Sequence, residues 1–174
     1  MSPREEMLAR VRSANTATQP GQGARADPDV ARGYRGTGEH APGSPAVLDL
    51  FEERLVDYKA TVRRCGQAGL RAAVADALTA TVARGGRVVL PPALPLEWAP
   101  AGTPDDGSLT ATELDGFAAV VTASRAACAE TGTIALDGAP DQGRRAITLV
   151  PDVHVCVVRA DQVVQTVPDL IGRV

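Results

Sequence analysis

Apolar residues recur at alternating steps of three and four along Leu48, Phe51, Leu55, Tyr58 and Val62. That spacing draws one stripe along a surface helix. The helix is predicted to start at Ser44-Pro45, where a hydroxyl can cap exposed N–H groups and a proline loses no needed donor, and to end near Gly66. Residues 70–84 repeat the pattern in an alanine-rich stretch through Leu70, Val74, Leu78 and Val82, stopped by Gly85-Gly86. The period then changes. Arg87–Leu90, Phe117–Thr122, Thr133–Leu136 and Val153–Val158 are short runs rich in β-branched residues, read as four strands, of which Arg87–Leu90 is the first buried one. Between them, Thr110-Ala-Thr-Glu113 has capping-box spacing for a short helix through Asp115, and Ser124–Ala129 reads as a helical turn. The proline-rich residues 92–106, with Trp98, read as a loop or lid, and the closing VPDLIGRV as a terminal helix or turn. Short apolar strands alternating with helices predict an α/β fold: a parallel or mixed central sheet with helices on both faces.

Ahead of this region the pattern weakens. Residues 4–14 place Met7, Leu8 and Val11 at helical spacing, with acidic residues early, which predicts a short helix. From Asn15 to Ser44 glycines and prolines dominate, and Val30 and Tyr34 are the larger apolar anchors. Such a segment cannot order itself alone and is expected to lie along another surface, either of this chain or of a second copy in a homo-oligomer. The expected organisation is a helix and Gly/Pro-rich arm over 1–45 and one α/β domain over 46–174.

Composition narrows the function classes. Hydrophobic residues make up 44% of the chain but aromatics 3%, so the core must be packed with Val, Leu, Ile and Ala. A net charge of -3, without basic clusters interleaved with aromatics, argues against nucleic acid as a partner. Lys59 is the one lysine, which makes Schiff-base or phosphate-anchoring lysine chemistry improbable. Cys65, Cys128 and Cys156 are odd in number and widely spaced, with no apparent signal peptide before them, and fit a reducing, cytoplasmic compartment. No apolar run reaches the roughly 18 residues that span a bilayer. Gly85-Gly86-Arg87 and Gly21-Gln-Gly23 match neither nucleotide fingerprint, and no cofactor is expected.

Ligands of open α/β sheets collect beyond the carboxyl ends of strands, which directs attention to Thr122–Arg125, Asp137–Arg145 and Arg159–Gln162. The densest polar constellation nearby is Glu130-Thr131-Gly132-Thr133. Glu130 is a candidate catalytic nucleophile or base, and Thr131, Gly132 and Thr133 are candidate substrate contacts. Equally, Glu130 can cap or pair while the other three turn the chain. Arg144 and Arg145 are candidates for gripping a carboxylate or phosphate bidentately, against the alternative that one pairs with Asp137, Asp141 or Asp152. Arg125 is a weaker candidate of the same kind. His154 shares a strand face with Cys156, but two ligands do not close a metal site, and no metal is expected. Cys128 is read as packing.

Thr122-Ala-Ser-Arg-Ala-Ala-Cys-Ala-Glu-Thr-Gly-Thr133, then Gly143-Arg-Arg-Ala-Ile-Thr-Leu-Val-Pro151, His154–Val158 and Val163-Val164 resemble, in order and spacing, the signature of the lactate-utilisation (LUD-domain) family. The resemblance covers roughly the last third of the chain. It implies a fold similar to sugar-phosphate isomerases, formyltetrahydrofolate cyclo-ligases and coenzyme A transferases. It also implies work beside iron–sulfur and cysteine-rich partner subunits in oxidising L-lactate to pyruvate, the clusters belonging to those partners. Glu130 to Thr133 match the family's turn, Arg145 the arginine before its Ser/Thr-Leu-Leu-Pro run, and Thr148 and Pro151 that run, which makes Thr148 a further candidate substrate contact. Val150 departs from the usual leucine, and the region before Arg87 is short, so a reduced sheet is expected. Three functions follow: an accessory or binding subunit that uses Arg145 and the Glu130 to Thr133 turn to hold a small carboxylate or a partner surface, an acyl-coenzyme A transferase-like enzyme using Glu130, or a structural interaction protein.

Overall fold

The computed structural model describes residues 2–16, 33 and 35–174. The chain divides into two units, Met1–Tyr34 and Arg35–Val174. In the first, helix α1 spans Pro3–Thr16 and leaves Met7, Leu8 and Val11 exposed. Most of the glycine- and proline-rich arm, including Val30 and Tyr34, lies outside the described residues.

The second unit holds two small sheets. The first has the order β2-β1-β3-β6, all neighbours parallel, from β1 (Arg87–Leu90), β2 (Thr103–Pro104), β3 (Phe117–Thr122) and β6 (Val153–Cys156). The second has the order β5-β4-β7, where β4 (Ala126–Cys128) pairs antiparallel with β5 (Thr133–Ala135) and parallel with β7 (Val163–Val164). Mixed pairing with helices on both faces is the architecture that the alternating pattern predicts.

The period-two alternation of each strand decides which helix it meets. On one face of the first sheet, Val88, Leu90, Ala119 and Val121 pack against Val74 and Leu78 of α3 (Leu70–Ala83). On the other, Val89 and Val120 meet Leu114 of α4 (Ala111–Asp115) and Ile147. The second sheet is sandwiched likewise. Val47 and Phe51 of α2 (Pro45–Asp57) cover Ala127, Ala129 and Val163, and Leu170 of α5 (Val167–Ile171) covers Ala126, Cys128 and Val164. Alanines in β4 leave room for helices on both sides, which is why a core poor in aromatics closes here.

Helix α4 begins with the capping box expected of Thr110 and Glu113: Thr110 Oγ1 accepts from Glu113 N, and Glu113 Oε2 accepts from Thr110 N at 2.8 Å. Donation to its carboxylate from Thr110 N, and from Thr110 Oγ1 at 2.7 Å, holds Glu113 below the usual carboxylate range. The cap also fixes Leu114, which is fully buried. Thr110→Ala is expected to destabilise the protein by about 1 kcal/mol, read as a lower urea midpoint at unchanged slope.

Three elements differ from the sequence reading. The α2 helix ends at Asp57, not near Gly66, because Lys59 takes a left-handed φ of 66° and closes the end by Lys59 N donating to Val56 O and Ala60 N to Leu55 O. Ser124–Ala129 is not a helical turn; its centre is β4, so Cys128 sits in a strand. The proline-rich stretch carries one helical turn (Leu96–Trp98) and the two-residue strand β2, tolerated because β2 is an edge.

Candidate functional site

In the first sheet the chain passes from β1 to β2 on one side and then returns to β3 on the other. A topological switch of this kind opens a crevice beyond the carboxyl ends of the two central strands. The loop Asp137–Arg144 lies across it. Ala93 N, after β1, donates to Pro140 O, and Ala123 N, after β3, donates to Asp141 O, each at 3.0 Å. The loop is further closed by Gln142, which is buried and accepts from Asp137 N at 2.7 Å.

Beside this loop is an open cleft of about 240 Å³, where Trp98, Ser124, Asp141, Arg159 and Gln162 gather with Val157. All but Trp98 and Val157 come from the three segments singled out beyond the strand ends. Gln162 organises one wall: its Oε1 accepts from Arg159 N at 2.9 Å and from Ser124 Oγ at 3.2 Å, while its Nε2 donates to Ser124 O at 2.8 Å. Ser124 Oγ also lies 3.1 Å from Val157 O. These two side chains are therefore occupied in shaping the wall. The Arg159 guanidinium meets Asp161 through Nε at 3.0 Å and Nη2 at 2.6 Å, which raises its pKa. Both partners are about two-thirds exposed, so the pair is a weak surface contact.

The Glu130–Thr133 turn lies elsewhere, at the tip of the β4–β5 hairpin. The pairing of Cys128 with Thr133 leaves Ala129–Gly132 as the connecting loop, and Gly132 turns it with a φ of 66°. A side chain there would meet Arg54 Cβ of α2 at 3.2 Å, so the tip rests on that helix. Glu130 is tied down. Its Oε1 accepts from Arg35 Nη2 in a short contact and from Gln165 Nε2 at 3.4 Å, while its N donates to Gln165 O. Gln165 Oε1 in turn accepts from Glu39 N and His40 N, and Asp169 Oδ2 from Gly38 N, fastening residues 35–40 beside the turn. Thr131 donates to Thr133 Oγ1 at 2.8 Å, and both are exposed.

The two arginines separate. Arg144 grips Asp105 bidentately, Nε to Oδ2 at 2.7 Å and Nη2 to Oδ1 at 3.1 Å, and Nη2 also donates to Leu109 O at 2.6 Å. Hydrogen bonding to Asp105 raises the Arg144 pKa. The partner is thus Asp105, not Asp137, Asp141 or Asp152. Arg145 opens the single turn Arg145–Thr148 and is exposed; Thr148 Oγ1 donates to its carbonyl at 3.0 Å. Arg125, the weaker candidate, lies 3.5 Å from Asp137 and donates to Arg173 O.

His154 and Cys156 do share a face, with Thr122 between them: Thr122 Oγ1 is 2.8 Å from His154 Nε2 and 3.7 Å from Cys156 Sγ. His154 keeps open surface on the edge strand, yet desolvation of its ring lowers its pKa. Burial pushes the Cys156 thiol up to about 11, which leaves it a poor nucleophile at neutral pH. Among the described residues no group of three His, Cys, Asp or Glu is placed to hold a metal ion, and no helix is long and apolar enough to cross a membrane.

Three comparisons bear on this geometry. The family model described as LUD domain matches residues 46–174. A protein of Deinococcus radiodurans named Lactate utilization protein C is 45% identical over 131 residues, covering 73% of this chain and 60% of that protein. The chain thus spans less than two-thirds of the length of this curated relative. A crystal structure of a DUF162 family protein from the same organism superposes with a TM-score of 0.68 at 41% identity, covering 74% of this chain and 77% of the other. With the family's model matched across most of the chain and this fold alongside it, the chain belongs to the LUD-domain family.

Proposed function

We propose that the chain is a cytoplasmic accessory subunit of a system that oxidises L-lactate to pyruvate, with the iron–sulfur clusters carried by partner subunits. The observation that carries this reading is the 45% identity to a protein named for lactate utilisation. The distribution of polar groups supports a binding and docking role. Arg145, Thr131 and Thr133 are exposed, and the Arg145 side chain has no hydrogen bond among the described residues, so it is available to a partner's carboxylate. Arg144 and Gly132 instead hold the surfaces in place, through Asp105 and α2 respectively. Acyl transfer at Glu130 would first have to free the carboxylate from Arg35 and Gln165, and no observation favours it over the docking role.

Cells lacking this protein are expected to lose growth on L-lactate while keeping growth on pyruvate, with recovery from the wild-type gene. Arg145→Glu, which reverses an exposed charge, is expected to restore lactate-dependent growth only in part while leaving the purified protein as stable as wild type. Equal growth of the deletion strain on the two carbon sources removes the proposal.

A further inference from the structure

Two charged groups in the cleft at the strand ends are not absorbed by the fold. Asp141 is half-buried, and its main chain is fixed by the bond to Ala123 N, but its carboxylate has no hydrogen bond among the described residues. Its oxygens stay open to solvent, so they can accept from a ligand without first breaking a bond within the protein. Arg159 spends Nε and Nη2 on Asp161, while Nη1 has no hydrogen bond among the described residues, and Gln162 holds its backbone. Ser124 and Gln162, by contrast, are spent on one another and on the wall. The same cleft is lined by Ala123 and Val157, which are apolar, and by Trp98. At about 240 Å³ the space falls below the roughly 300–1,000 Å³ of sites for drug-sized molecules, so the occupant is small.

We propose that this cleft binds a short carboxylic acid with a hydrogen-bond donor on its second carbon, the carboxylate on Arg159 and the donor on Asp141. The charge arrangement selects this class. A plain carboxylate satisfies Arg159 but brings its alkyl chain to Asp141, leaving that acceptor desolvated and unpaired. A hydroxyl or ammonium group at the second carbon supplies the missing donor, and the apolar lining of Val157 and Ala123 suits a small alkyl remainder. A 2-hydroxy acid and a 2-amino acid share this chemistry. The 2-hydroxy acid version rests on the lactate-utilisation reading, and the 2-amino acid version does not.

Trp98 is the chain's one tryptophan and lines the cleft, so its fluorescence and its indole N–H resonance report on the site. The full chain is titrated with L-lactate, L-alanine and propionate. The expected result is saturable binding of L-lactate or L-alanine at least about tenfold tighter than propionate. In Asp141→Ala that preference collapses, with propionate changed little; in Arg159→Gln all three weaken. Circular dichroism checks that both variants keep the fold, as expected for residues outside the core. Propionate binding as tightly as the other two, a preference that survives Asp141→Ala, or no saturable response in either signal overturns the proposal. Tighter binding of L-alanine than of L-lactate upholds the site but separates it from lactate. A deletion strain that grows equally on lactate and pyruvate, with the titration as expected, overturns the proposed function and leaves the site standing.

Discussion

Arg144→Ala is expected to lower the unfolding free energy by about 3 kcal/mol, one of the two largest single effects anticipated here. The cost arises from the partner. The Asp105 side chain is 2% exposed, and without the guanidinium its carboxylate keeps Gly107 N at 3.2 Å as a donor. A buried charge robbed of its counter-ion loses more than the pair contributed, because its desolvation is no longer offset. The reverse change is milder. In Asp105→Asn the Arg144 side chain, 35% exposed, can turn to water, and the expected loss is about 1 kcal/mol, scaled down for that exposure. Urea denaturation of both variants measures the asymmetry. Equal losses would mean that Arg144 contributes packing or its bond to Leu109 O rather than charge compensation.

Asp105 also shows where the sequence stops being readable. It stands beside Asp106 in a proline-rich stretch, and nothing in the pattern separates a buried aspartate from a solvated one. The choice is made by β2, whose two residues pair with β1 and bring Asp105 N to Leu90 O at 2.8 Å. A strand of that length has no periodicity to detect. By contrast, the Thr110–Glu113 box was legible because both halves of its geometry lie within four residues. The first three long apolar patterns were legible for a similar reason: α2, α3 and β3 each repeat the signal several times.

The β4 strand fails in the opposite way. Ala126-Ala-Cys128 has no β-branched residue, and its local preference is helical; its conformation comes from β5 on one side and β7 on the other. The early stop of α2 is hidden because the apolar stripe continues through Tyr58 and Val62, while a lysine occupies the left-handed position that glycine usually marks. For the candidate site, topology and motif point to different places. The rule that ligands collect beyond strand ends led to Ser124, Asp141, Arg159 and Gln162, whereas polar density led to the hairpin tip at Glu130. Trp98 was legible as a lone aromatic in a loop or lid. Its packing against the α3 face of the sheet was not.

Gly143→Ala is expected to destabilise by about 2–4 kcal/mol, combining two separable costs. Gly143 has a φ of 73°, and a Cβ there would lie 2.5 Å from Ile147 Cδ1 and 3.3 Å from Pro91 Cβ. Ile147 is fully buried among Val89, Leu114 and Val120, so it has little room to yield. Gly138 provides the control within the same loop: its φ is 77°, but nothing lies within 4 Å of the added carbon. Gly138→Ala should therefore show the backbone cost alone, about 1 kcal/mol, and the difference between the two variants measures the crowding at Ile147. The crowding has a consequence for the cleft as well. Gly143 follows Asp141 and Gln142 in the loop held to Ala93 and Ala123, so with Ile147 held in the core a backbone shift that relieves the clash pulls on those bonds and moves Asp141. Gly143→Ala is expected to alter the Trp98 response to ligand, and Gly138→Ala to preserve it. Identical stabilities for the two variants would show that Ile147 repacks freely and that the loop is not braced from beneath.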